Sequence, residues 1–194
     1  MDRMSNGAQP EWVVNELPSQ YADVARQIEA LKQEALKYEG VAGVVWRSGD
    51  ELTAAVRDLF EALNFQTEIM DSGSNYDLRV DLQDGRRLLV EVVSGSERIG
   101  RKSPQIAQIL RALQEDANEK DRVVLVANLF GDKPVNSRPD DQVTVDALRL
   151  IQGLGANFIP TTSLFRIWKS SLDDVGQAQR TIVNLHSMDG GIFR

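Results

Sequence analysis

Asp77 and Glu91 lie in two short apolar runs, NYDLRV and LLVEVVS, separated by a polar turn that contains QDG. Each acid is surrounded by strand-forming residues, where an ionised carboxylate costs several kcal/mol unless something pairs with it. Two such runs joined through an Asp-Gly pair predict a β-hairpin. Hairpin geometry allows both acids to face the same side. Two adjacent carboxylates repel, and one pKa rises unless a hard divalent cation neutralises them. Mg2+ or Mn2+ with oxygen ligands suits such a pair, and ions held this way orient water against a phosphodiester and stabilise the leaving oxygen. Glu51, in a segment that reads as the preceding helix, is a third candidate carboxylate. A second arrangement stays open. In it Asp77 ends a turn and pairs with Arg79 or Arg87, and Glu91 faces solvent at a sheet edge.

Other chemistries find no support in the sequence. The chain has no cysteine, which removes disulfides and thiolate zinc sites and makes a reducing cytoplasm the expected setting. His186 is the single histidine and has no arranged partner, so a satisfied or exposed ring is expected. There is no phosphate-binding G-x-x-x-x-G-K-[ST], no dinucleotide G-x-G-x-x-G after a strand, and no G-x-S-x-G elbow. A formal net charge of -7 argues against a general, sequence-independent grip on nucleic acid. RIGRK, residues 98 to 102, is a local basic cluster. It reads either as a phosphate-holding patch beside an acidic metal site or as a solvated loop. No signal-like leader is visible and no apolar run approaches the ~18 residues that span a bilayer, so no membrane partner is expected.

The elements that must position the acids follow from periodicity. With 194 residues the chain has the length of one main domain. Residues 1–15 carry Gly, Pro, Asn and Ser without period and are expected to be mobile. Residues 16–40 form an amphipathic, coiled-coil-like helix. Its apolar positions Leu17, Tyr21, Val24, Ile28, Leu31, Ala35 and Tyr38 are spaced 4, 3, 4, 3, 4, 3, a heptad seam. Residues 17–38 therefore need a cover, which can be their own domain, a second copy or another chain.

Residues 41–194 make up the main domain. A helix opens at SGDEL, where Ser48 and Glu51 match a capping box and Leu52, Val56, Leu59, Phe60 and Leu63 share a face. Strands are expected at about 66–70, 76–82 and 87–94, then a helix from Ser103 or Pro104. RVVLVANLF reads as a strand buried on both faces. A helix over 144–154, a strand over 157–160 and a helix at SLFRIWKS complete the pattern, with the last residues returning as a strand. The class is α/β, a mixed sheet flanked by helices.

The ordered set of features, a helix with an early Glu, an apolar strand, Asp77 in a strand, a hairpin, Glu91, then a helix carrying Gln105 and Gln108, is similar to the PD-(D/E)XK nuclease superfamily. That resemblance implies a restriction-endonuclease-like fold over residues 45 to 130. It extends to about residue 170 through an Asn ending the later strand, an Arg in the Pro-containing loop and a Thr-Thr pair before a helix, as in bacterial members of that superfamily. It implies a Mg2+- or Mn2+-dependent nuclease acting on DNA, or secondarily RNA, with Asp77, Glu91 and Glu51 as metal ligands. Where the family places a lysine, two residues after the Glu, this chain has Val93. Lys102 is the expected stand-in catalytic cation, with Arg98, Arg101, Lys102, Gln105 and Gln108 toward nucleic acid. The missing lysine keeps an alternative open, an inactive domain of the same fold that binds nucleic acid or a protein, with the N-terminal helix mediating assembly.

Overall fold

A computed structural model describes residues 12–83 and 85–193. The chain divides into two units, residues 1–39 and 40–194. In the first, a short helix α1 (Val13–Glu16) precedes α2 (Ser19–Ala42), which carries the heptad pattern and runs on into the start of the second unit. Most of the expected mobile segment, residues 1–11, lies outside the described residues. Along α2 the seam side chains are exposed, and the first buried side chain on it is Val41.

In the second unit the apolar stripe of α3 (Gly49–Ala62) buries Leu52, Ala55, Val56, Leu59 and Phe60. Ser48 takes the N-cap position with extended backbone, but its side chain makes no capping hydrogen bond, so the Ser48–Glu51 capping box is not closed. Asp50 and Glu51 still place negative charge in the first turn, where the helix dipole favours it. At the other end Asn64 adopts φ 63°, one of the few non-glycine types that tolerate the left-handed C-terminal position.

The sheet is α/β and mixed. Its six strands are β1 (Gln66–Ile69), β2 (Leu78–Asp81), β3 (Arg87–Gly95), β4 (Asp121–Leu129), β5 (Asn157–Pro160) and β6 (Gly191–Ile192), adjacent in chain order. β1, β2 and β3 run antiparallel, and β3 to β6 are parallel. The change of direction follows from connection length. β2 and β3 are joined by a short turn with Gly85 at φ 78°, whereas each later pair is bridged by helices. Asp84, half of the Asp-Gly signal, lies outside the described residues.

Helices cover both faces. α4 (Pro104–Arg111) and α5 (Val145–Gly153) pack with Leu89, Val123, Leu125 and Ala127 on one face. α3, α6 (Thr161–Ser171) and α7 (Val175–Ser187) pack with Leu88, Val90, Val124 and Val126 on the other. β4, apolar for most of its length, is buried on both sides as its composition requires. α6 starts directly after Pro160, earlier than the SLFRIWKS pattern suggests. α7 is a separate helix that the pattern does not anticipate, opened by Asp174, whose carboxylate accepts from the Gln177 N–H at 2.9 Å.

A buried polar cluster ties the loops to this frame. Asn128, 2% exposed near the end of β4, donates from Nδ2 to the Arg47 carbonyl at 2.8 Å. Its Oδ1 accepts from Arg138 Nη1 at 2.8 Å and from Thr161 Oγ1 at 3.2 Å. Arg138 also donates to the carbonyls of Val45 and, from Nε at 3.0 Å, Lys133. One amide thus joins the entry to α3, the loop after β4 and the start of α6. Asn128→Ala leaves a guanidinium and a carbonyl without their partner and is expected to cost about 3 kcal/mol in urea unfolding. A loss under about 1 kcal/mol would show that the cluster does not hold these loops.

Candidate active site

The β2–β3 pair brings the two acids to one cleft. Leu78 and Val80 of β2, like Leu88 and Val90 of β3, point into the cluster beneath α3. Leu89 belongs to the opposite cluster, so Glu91 points with it toward the α4 side. The paired register ends at Leu78 with Val90, and Asp77 stands just before β2, near enough for its charge to act on Glu91. Asp77 is held by both its backbone and its side chain. Its N–H donates to the Val90 carbonyl at 2.9 Å, and Oδ2 accepts from the Val92 N–H at 2.7 Å. The carboxylate thereby prolongs the β2–β3 ladder beyond the last strand residue, and its direction is fixed.

Both acids line a cleft of ≈ 840 Å³ together with Asp50 and Thr53 from α3 and Gln108 and Arg111 from α4. Its outer wall is the loop after β1. Asn75 Nδ2 donates to Glu115 Oε2 and Asp116 Oδ2, both at 2.9 Å, and anchors that loop beyond α4. There the helix widens into one π turn, Ala112–Asp116, closed by Ala117 N–H to the Ala112 carbonyl at 2.9 Å.

The electrostatics of the pair are unfavourable to two negative charges. Glu91 is 6% exposed, and its pKa is pushed from 4.5 up to about 8, first by burial and then by the Asp77 carboxylate, against the pull of Arg111. Asp77 is raised as well, by burial and by Asp50, against the hydrogen bond from Val92. The arrangement with Asp77 paired to an arginine and Glu91 at an edge is not the one found. Arg79 pairs with Glu68 at 2.8 Å and Asp81 at 3.2 Å, Arg87 pairs with Asp121 at 2.7 Å, and β3 is an interior strand.

The remaining expected residues fall in different places. Glu51 is exposed and does not line the cleft; Asp50 does. α3 begins at Gly49, and a 100° turn per residue carries the next acid off the face that Asp50 occupies. Among the described residues no three His, Cys, Asp or Glu side chains gather as a group that could hold a metal ion. Lys102 and Arg101 are exposed in the turn before α4, and Arg98 pairs with Asp141 at 2.9 Å; none of the three lines the cleft. Gln108 lines it and Gln105 does not. Val93 packs against the apolar cluster beneath α4 and α5.

Arg111 is the cation the sequence reasoning missed. It stands three residues after Gln108, on the same side of a helix whose other side buries Ile106 and Ile109. Extending the Gln108 expectation by one turn finds it. His186 is satisfied, with Nε2 2.8 Å from the Lys120 carbonyl, which accepts from the ring.

Two neighbouring carboxylates in one cleft have the chemistry to hold a hard divalent cation such as Mg2+. Asp77 and Glu91 would be the ligands. Because the Glu91 pKa is raised on folding, the native state binds a proton that the unfolded chain releases above its ordinary value. Stability is therefore full below about pH 4.5 and falls as pH rises toward about 8. Urea unfolding without metal should lose a few kcal/mol over that interval. In Glu91→Gln the slope should largely vanish, leaving the variant more stable than wild type at pH 8 by roughly 2 kcal/mol. Equal slopes in both proteins would contradict the buried, repelled state of Glu91.

No protein-family model matches the chain, and no curated protein is significantly similar to it in sequence.

Proposed function

We propose that the cleft binds Mg2+ or Mn2+ on Asp77 and Glu91 and hydrolyses phosphodiester bonds in DNA, with RNA as the second substrate. The observation that carries this is the pair itself: a buried Glu91 and a half-buried Asp77 lining one open cleft, each with its pKa raised, with Arg111 beside them. The element order helix, three antiparallel strands, helix, parallel strand is what the resemblance to PD-(D/E)XK nucleases implies, and it supports the same reading.

When bound, the cation would supply Lewis-acid polarisation of the phosphate and a water of lowered pKa. Asp77 keeps one carboxylate oxygen oriented by the Val92 N–H. Glu91 gives up its proton on binding, so occupancy rises with pH. Arg111 faces the site as a permanent cation and suits the non-bridging phosphate oxygens, while Gln108 offers an amide on the same wall. Because guanidinium stays protonated it does not activate water, and Val93 and Lys102 lie outside the cleft. Asp50, exposed at the cleft, is the carboxylate left to accept the proton of the attacking water. Catalysis without a lysine is expected to be slow and to favour alkaline pH.

The absence of lysine from the cleft lining favours one second reading, a silent domain that holds nucleic acid without cutting it. One assay separates the two. With Mn2+ at pH 8, wild type should nick supercoiled plasmid, Glu91→Ala and Asp77→Ala should abolish nicking, Arg111→Ala should reduce it about tenfold or more, and Lys102→Ala should leave it unchanged. Wild type inert on duplex DNA, single-stranded DNA and RNA with either metal would overturn hydrolysis. Salt-sensitive binding of DNA that weakens in Arg111→Ala, without cleavage, would then identify the silent domain.

A further inference from the structure

We infer that residues 17–38 pair two copies of this chain as an antiparallel two-helix coiled coil. The inference does not depend on the chemistry of the cleft. It starts from exposure: Tyr21 is 50% exposed, Val24 51%, Ile28 48%, Leu31 65% and Tyr38 44%. These are the a and d positions of the heptad pattern, and they form one apolar stripe along α2. An uncovered stripe of large apolar side chains in this register is the surface that helix pairing buries.

The charges beside the stripe select the orientation. With Tyr21, Ile28 and Ala35 at a and Leu17, Val24, Leu31 and Tyr38 at d, the e positions are Ala25, Lys32 and Glu39 and the g positions are Gln20, Gln27 and Glu34. In a parallel, in-register pair each g residue meets the next e residue of the other helix. The contacts would then be Gln20 with Ala25, Gln27 with Lys32, and Glu34 with Glu39. The only contact between two charges is repulsive, it occurs twice by symmetry, and no opposite charges meet. The Ala35 layer would also place two methyl groups between the Leu31 and Tyr38 layers and leave space unfilled.

Reversing one helix removes both defects. With Ile28 opposite Leu31, the layers become Tyr21 with Tyr38, Val24 with Ala35, and Ile28 with Leu31. Gln27 then lies against Glu34, an amide against a carboxylate. Lys32 lies over Ala25, with Glu29 of the other copy one turn away. One arrangement therefore accommodates the seam and the flanking charges together.

The test uses the full chain. Light scattering should give a mass near 43 kDa, twice the 21.6 kDa of one chain. The double variant Ile28→Glu, Leu31→Glu should give the monomer mass while far-ultraviolet circular dichroism of the main domain persists. Because the chain has no cysteine, introduced thiols report orientation without background. An oxidised mixture of Val24→Cys and Ala35→Cys proteins should cross-link at least tenfold more than either variant alone. A wild-type monomer, or a dimer that survives the double glutamate variant, would overturn the pairing. Cross-linking of Val24→Cys alone as efficient as in the mixture would overturn the antiparallel orientation.

Discussion

A carboxyl group placed where strand packing removes nearly all water, with a second carboxylate beside it, is the constraint around which this domain is arranged. Glu91 interrupts the apolar run of an interior strand, and the nearest counter-charge, Arg111, only partly offsets its burial and the Asp77 charge. A protein selected for stability alone would gain by replacing such a residue with an apolar one of similar volume. Retaining it costs stability at neutral pH, the pattern of strain that accumulates at sites of binding or chemistry. A divalent cation, as proposed, would resolve the conflict by replacing the proton on Glu91 and cancelling the repulsion from Asp77.

The rest of the fold holds that pair in place. The antiparallel β2–β3 pair brings Asp77 and Glu91 into one cleft, and the Val92 N–H fixes the direction of one carboxylate. The parallel strands beyond β3 allow α4 to cross over the site and bring Gln108 and Arg111 to its wall. On the side of α3, the Asn128 cluster fixes the backbone at Val45 and Arg47 from which that helix, with Asp50 in its first turn, departs. Local geometry, sheet topology and buried polar contacts thus converge on one cleft.

Much of this was legible in the residues themselves, and the failures have physical causes. The apolar run RVVLVANLF could only be an interior strand, and the strand over 157–160 follows from its short apolar stretch ending at proline. The heptad spacing identified α2, while the capping pair at Ser48 and Glu51 misled about which acid faces inward. That choice turns on the first helical residue and on a 100° rotation, finer than pattern reading resolves. Arg111 and the association of Asn128, Arg138 and Thr161 depend on how distant segments dock, which periodicity does not encode. α7 carried a local signal, Asp174 three residues before Gln177, in the manner of a capping box, but lacked the Gly or Pro that would mark a break from α6.

The central claim is that Glu91 and Asp77 share a site built for a cation. Its most direct test is a carboxyl-carbon NMR titration of Glu91, assigned through Glu91→Gln, with and without Mg2+. The account predicts an apparent pKa near 8 in the free protein, falling into the ordinary carboxylate range when Mg2+ is present and losing that metal dependence in Asp77→Asn. A Glu91 that titrates near 4.5 without metal, or whose raised pKa ignores Mg2+, would contradict it.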